Sequence, residues 1–307
     1  MIKSRKMTGR PHSAPQRQRG IISDSDRHSP KVRWSLRFIN GGTLVLLLIV
    51  GLGPLLWLAK SAITPTQDTI RNPMALWPHG FDLGDFAKAW SKTHIDRYFL
   101  NTVWIAIGSW IVQIVVATTG GYVLSVLRPR FHRVLTAMVL ATLFVPSIVL
   151  LVPLYLTIVN VPVLNIRLIN SFWAVWLPAG ASAFNVLLIK RFIDNIPREI
   201  FEAAQVDGAG AFRLFWSIVL PLSRPIIGVV SVFAVIGTWK DFLWPLLVLP
   251  DPNMQPLSVR LPTLQPTTPL DIFLAALAIA TLIPVVLFLI FQRMFLQGGD
   301  VSGAVKG

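Results

Sequence analysis

Six stretches of this chain are apolar for long enough to cross a lipid bilayer, and no other feature constrains its fold as strongly. A hydrocarbon core about 30 Å thick needs about 20 mostly apolar residues in a helix. Residues 38–59, 100–126, 134–159, 172–189, 226–249 and 272–295 each meet that length. Strands of a membrane barrel are excluded, because they are about 10 residues long and alternate in polarity. Pro54, Gly120, Gly121, Pro146, Pro153, Pro178, Gly180, Pro245 and Pro284 fall inside the runs. They would break helices in water but are tolerated in a membrane bundle, where neighbours re-satisfy the backbone. The expected fold is an all-α integral membrane domain of six transmembrane helices.

Composition supports this reading. The 307 residues are 53% hydrophobic and only 14% charged, where an ordinary soluble domain is about 25% charged. With no cysteine in the chain, disulfides, thiolate metal sites and a thiol nucleophile are excluded.

Basic residues set the orientation. Twenty of the 28 Lys and Arg lie in residues 1–37, 127–133, 190–224 and the final segment from Arg293; seven lie in residues 60–97, 158–171 and 250–271; and Lys240 lies within a run. This imbalance puts both termini in the cytoplasm. Residues 1–37 are rich in Arg, Lys, Ser and Pro and lack apolar periodicity. They read as a disordered basic cytoplasmic tail preceding a permease domain at 38–307. The tail is too long, and its apolar run too extended, for a signal peptide. Its basic residues would permit nucleic-acid binding, but retention near anionic lipid is the simpler reading. On the outer side, Phe86, Trp90 and Ile95 fall at roughly helical spacing and suggest a short amphipathic helix on the membrane surface.

One loop, residues 191–225, is informative beyond topology. Asp194 and Asn195 are helix-start signals, Pro197 suits a first turn, and Glu199 suits the positive helix end. A helix then runs to about Val206 or Asp207 and is stopped by Gly208 and Gly210. A second helix follows over residues 211–220. Ile200, Phe201 and Ala204 form an apolar side, with Glu202 and Asp207 nearby. Ala203, Ala204, Gly208, Ala209 and Gly210 are small enough to let another backbone approach. The loop therefore reads either as a rigid knob shaped for a partner's groove or as a plain solvated connection.

The order Glu202-Ala203-Ala204, Asp207-Gly208-Ala209, then Ile218, Leu220, Pro221, Leu222 and Pro225 resembles the EAA loop of the membrane subunits of bacterial ABC importers. Further stretches resemble the maltose-type sugar permeases of that superfamily. They are Tyr98-Phe99-Leu100-Asn101-Thr102, Pro146 with Pro153-Leu154-Tyr155, residues 239–245 with Trp239, Lys240, Asp241, Trp244 and Pro245, and the closing 303–307 segment. The resemblance covers about residues 40–307. It implies the transmembrane domain of a type I ABC importer in a bacterial cytoplasmic membrane, half of a translocation path formed with a sister permease. It further implies two copies of an ATPase subunit, which carry ATP and Mg, and an extracytoplasmic sugar-binding protein or lipoprotein. Glu202, Ala203, Ala204, Asp207, Gly208 and Ala209 would be the contacts to the ATPase.

The chain itself carries no phosphate-binding G-x-x-x-x-G-K-[ST] and no H-E-x-x-H zinc motif. Its histidines, at 12, 28, 79, 94 and 132, are scattered outside the apolar runs. It therefore reads as non-catalytic, with no metal, no cofactor and no nucleic acid of its own. Lys240 and Asp241 are expensive at membrane depth and mark a pathway or a pair. Trp239, Asp241 and Trp244 are the candidates for a translocation path, with interfacial anchoring as the plainer reading for the tryptophans. An ion-coupled carrier would need more intramembrane acids than Asp241, and a membrane enzyme would need a cluster of His, Asp or Glu at one face. An ABC importer for a non-sugar solute stays the nearest alternative.

Overall fold

The computed structural model describes residues 30–77 and 80–298. The basic segment before residue 30 and the closing 303–307 segment lie outside the described residues. The chain divides into two compact units, Met1–Trp57 and Leu58–Gly307.

The described part of the first unit lies within a single helix, α1, Pro30–Ala62, whose last turn belongs to the second unit. Residues 30–37, expected in the disordered tail, are helical here. The reason is local: nothing between Lys31 and Arg37 breaks a helix, so the helix of the first apolar run extends back through them. Its apolar side chains, among them Leu44, Leu47, Ile49, Val50 and Leu56, are exposed around the whole circumference. A helix that is apolar all round suits lipid. At 33 residues it is about 50 Å long, more than a hydrocarbon core.

The second unit is built around α4, Ile95–Tyr122, which continues through a wide π turn at Val123–Leu127. α4 packs against α7 (Trp173–Ala179), α8 (Ala183–Asp194), α12 (Arg224–Lys240) and α14 (Leu257–Leu264). Close approach of α4 and α8 depends on Gly121: a Cβ there would sit 2.8 Å from Ile189 Cγ2 and 3.0 Å from the backbone nitrogen of Lys190. The same interface holds a buried amide pair, with Asn185 Nδ2 donating to Gln113 Oε1 at 2.9 Å. Small residues and interhelical hydrogen bonds are what join helices where lipid removes the hydrophobic drive.

Two helices, Trp34–Ala62 and Ile95–Leu127, are each long and apolar enough to cross a membrane unaided. Three of the other expected runs are broken. Residues 134–159 form α5, His132–Thr142, and α6, Ser147–Val159, which meet at 105°. Pro146 sits at the break in extended backbone (ψ 129°); its ring removes an N–H and disfavours helix in the residue before it. Residues 172–189 form α7 and α8, which meet at 41°. Ser182 is extended, and its hydroxyl accepts the Asn185 N–H that opens α8; α8 then runs on to Asp194.

The run 226–249 is also not one helix. α12 stops at Lys240, Asp241 is extended (ψ 120°), and a short helix α13 follows at Leu243–Val248. Hydropathy averages hide such breaks, because the residues on both sides are equally apolar. The last run is α15, Leu270–Gly298.

After a short helix α2, Thr66–Arg71, the outer segment expected as a surface-lying helix is α3, Gly84–Lys92. It packs onto α15 and joins a core cluster through Ala89 and Phe86, together with Ile95, Tyr98 and Trp239. Of its large apolar residues, Trp90 stays exposed, its ring 5.8 Å from that of Phe99. The buried Asp85 carboxylate accepts the Lys88 ammonium at 2.6 Å, and that hydrogen bond raises the Lys88 pKa above its ordinary value.

Candidate coupling and transport sites

Loop 191–225 folds into two short helices. α9, Arg198–Val206, opens after Pro197 with Glu199 in its first turn, where the helix dipole favours a carboxylate. Its end is closed by two backbone bonds: Gly208 N–H to Gln205 O at 3.0 Å, and Ala209 N–H to Ala204 O at 2.9 Å. With Gly208 at φ +79°, this is a Schellman closure, which uses glycine because a side chain is strained in left-handed backbone. The second helix, α10 (Ala211–Leu214), passes through a π turn at Phe215–Val219 into α11, Leu220–Leu222.

The knob has a defined inside and outside. Phe201 is buried and Ala204 partly so, in a cluster with Tyr122, Ile189, Ile193, Leu214 and Val219. The Tyr122 hydroxyl donates to the Ala211 carbonyl at 2.7 Å, and its ring meets Phe215 at 5.2 Å. Ile200, expected beside Phe201 on the apolar side, instead faces out at 40% exposure. Neighbouring residues on a helix diverge by about 100°, so both cannot point into one core. Glu202, Ala203, Asp207 and Gly208 are exposed, and Ala209 is half-buried. Phe212 and Trp216 are also exposed, 77% and 55%.

A cavity of about 200 Å³ lies under α9, lined by Ser125, Val126, Ile193, Asp194, Arg198 and Glu202 among others. By sequence Asp194 is no more than a helix-start signal. In the structure its carboxylate accepts the Ser125 hydroxyl and the Lys190 ammonium, each at 2.6 Å, with an Arg128 guanidinium nitrogen 3.7 Å away.

The break in 226–249 creates the second candidate site. Lys240 and Asp241 line a cavity of about 380 Å³ with Gln113, Ala179, Phe233, Ala234, Gly237 and Thr238. Lys240 ends α12, where a cation suits the negative helix end. Asp241 Oδ1 accepts the Trp244 N–H at 3.4 Å. Gln113 went unnoticed in the sequence because one uncharged polar residue barely lowers the hydropathy of a long run; an amide inside a span was the available signal.

The tryptophans are committed to packing. Trp239 is buried, its Nε1 donates to the Ala280 carbonyl at 3.3 Å, and its ring meets Phe99 edge-on at 5.9 Å. Trp244 Nε1 donates to the Ala174 carbonyl at 2.9 Å.

The segment 98–102 explains itself in the fold. Asn101 Nδ2 donates to the carbonyls of Asn253 and Gln255, the Thr102 hydroxyl accepts the Leu257 N–H, and the Arg260 guanidinium lies over the Tyr98 ring at 5.1 Å. The returning loop after α13 is thereby fastened to the start of α4. Ser258 Oγ in turn donates to the Asp241 carbonyl at 2.7 Å. Among the described residues no group of three His, Asp or Glu side chains is placed to hold a metal ion.

Residues 114–298 match the family described as binding-protein-dependent transport system inner membrane component. That span holds the second part of α4, all of α5 to α15, the whole 191–225 loop and the Asp241 break. The chain belongs to this family of permeases. The permease is 30% identical over 287 residues to the arabinooligosaccharides transport system permease protein AraQ of Halalkalibacterium halodurans, covering 91% of this chain and 98% of the relative. It is 30% identical to the diacetylchitobiose uptake system permease protein NgcG of Streptomyces coelicolor, over 86% of this chain and 87% of that one. It is 29% identical to the sn-glycerol-3-phosphate transport system permease protein UgpE of Agrobacterium fabrum, over 83% and 93%. A crystal structure of a bacterial ABC transporter involved in the import of alginate contains a chain of the same fold. Its TM-score is 0.73 at 19% identity, covering 90% of this permease and 99% of that chain. The permease is thus a helical inner-membrane transport component and not itself an enzyme.

Proposed function

We propose that this permease is one half of the membrane path of an ATP-driven, binding-protein-dependent sugar importer. In this reading the chain makes six crossings, counting each bent helix pair as one, and both termini and loop 191–225 lie in the cytoplasm, the side its Lys and Arg favour. A sister permease completes the path. Two copies of an ATPase subunit bearing ATP and Mg dock below, and an extracytoplasmic sugar-binding protein or lipoprotein delivers solute from outside.

One observation carries the proposal. α9 turns Phe201 and Ala204 into the bundle and leaves Glu202, Ala203, Asp207 and Gly208 exposed on a helix closed at its end. A short rigid helix with small residues on its free side fits a groove on a partner and transmits rigid-body motion. In this reading Glu202 is the charged contact, Ala203 allows close approach, Asp207 and Gly208 set the turn, and Ala204 and Ala209, expected as contacts too, pack largely against the bundle instead. The Asp241 cavity belongs to the translocation path, with Trp239 and Trp244 holding its wall in shape.

Sugar as the solute is favoured by the relatives named for arabinooligosaccharides and diacetylchitobiose. The relative named for sn-glycerol-3-phosphate supports the second reading, a non-sugar solute. The test is affinity purification of the permease from its native membrane. Recovery of an ATPase subunit, a second permease and an external lipoprotein that binds saccharides is the expected result. A purified complex lacking a nucleotide-hydrolysing subunit, or uptake that fails with an uncoupler but survives ATP depletion, contradicts it.

A further inference from the structure

The Asp194 carboxylate stands where three parts of the bundle meet. It is the last residue of α8, it accepts Ser125 Oγ from the π turn that ends α4, and it is paired with Lys190 one turn back. Arg128, held in left-handed backbone at φ 45°, donates from Nε to the Ser125 carbonyl at 2.8 Å and brings a guanidinium nitrogen near the same carboxylate. The Lys190 and Asp194 side chains are each only about one-fifth exposed, so the ion pair is shielded from bulk screening. α9 begins four residues later, across the cavity that Ser125 and Asp194 share with Arg198 and Glu202. At its far end α4 holds the returning loop through Asn101 and the start of α14 through Thr102, and α14 holds the Asp241 carbonyl through Ser258.

We infer that Asp194 is a positioning residue that joins the base of the coupling helix to α4, so that movement of α9 is delivered to the Asp241 cavity. The inference rests on the coupling reading above. Without the carboxylate, Ser125, Lys190 and Arg128 lose their common acceptor, and the π turn that ends α4 is no longer tied to the base of α9, although α4 and α8 stay packed at Gly121 and through the Asn185–Gln113 pair. A rigid element transmits displacement only if it is fixed at both ends.

The experiment uses the intact complex with its ATPase in membranes. The permease has no cysteine, so Gly237→Cys gives a single thiol reporter in the cavity wall, where an added Cβ meets nothing within 4 Å. Ala203→Cys in a parallel sample reports on α9. A membrane-impermeant thiosulfonate probes both with and without ATP. In the parent, ATP is expected to change the labelling rate at Gly237→Cys. In Asp194→Asn that ATP response shrinks on the order of tenfold, while Ala203→Cys stays shielded by the ATPase; Asp194→Glu recovers part of it. Ser125→Ala, which removes one hydrogen bond, shows a smaller loss in the same direction. Simple destabilisation would instead alter labelling equally with and without ATP. An unchanged ATP response at Gly237→Cys in Asp194→Asn, with Ala203→Cys still shielded, overturns the inference alone. An Ala203→Cys thiol never shielded in the parent overturns the coupling reading beneath it.

Discussion

The Thr102 hydroxyl accepts the backbone N–H of Leu257 at 2.9 Å, joining α4 to the start of α14, 155 residues away in sequence. Both residues are 2% exposed, so water cannot replace the bond. Thr102→Val keeps the shape and orphans that N–H. The expected cost is about 1–3 kcal/mol, read as a lower melting temperature of the purified permease. Thr102→Ser keeps the acceptor and should lose much less.

Gly121→Leu should disrupt the joint between α4 and α8. A Cβ at this position already meets the Lys190 backbone at 3.0 Å, and backbone cannot step aside as a side-chain tip can. Overpacking of this kind costs about 1–3 kcal/mol or more. Reduced yield of folded permease in detergent, measured by size-exclusion chromatography, checks it; a bulkier residue that left yield and melting temperature intact would deny the close approach.

Gly208 separates backbone strain from crowding. Its φ is +79°, yet an added Cβ meets nothing within 4 Å. Gly208→Val should therefore suffer from conformation alone, about 1–2 kcal/mol, while Gly208→Asn, a residue that tolerates this region, suffers less. Membrane insertion is expected to survive in both. Uptake should fall in the order glycine, asparagine, valine, and equal uptake in all three would mean that the turn does not matter for coupling.

Glu202→Lys reverses a charge on the exposed side of α9 without touching the buried Phe201. Insertion and thermal stability should match the parent within about 0.5 kcal/mol, as for surface substitutions generally. Uptake should be abolished, and a variant that transports normally removes Glu202 from the interface.

Much of this architecture was legible because two sequence signals are strong. Long apolar runs set the scale of the helices, and the spacing from Pro197 to Gly208 marks both ends of α9. What stayed hidden depends on tertiary contacts. Pro146 lies inside an apolar run, and only the fold turns it into a 105° corner between α5 and α6. The stop at Lys240 and restart at Leu243 is held partly from outside, since Ser258 donates to the Asp241 carbonyl. Trp239 fits either a pathway wall or interfacial anchoring by sequence, and only the fold commits it to packing, through Ala280 and Phe99. Asp194 looked like an ordinary helix signal because its partners Ser125 and Arg128 are distant in sequence.

The most direct measurement is a cross-link from α9. An Ala203→Cys permease, in a chain otherwise free of cysteine, is treated in native membranes with a short thiol-to-amine cross-linker and the adduct is identified by mass spectrometry. The account predicts an adduct with the ATPase subunit whose yield changes when ATP is added. Labelling of Ala203→Cys from the external medium, or a cross-link to the extracytoplasmic binding protein instead, would contradict it.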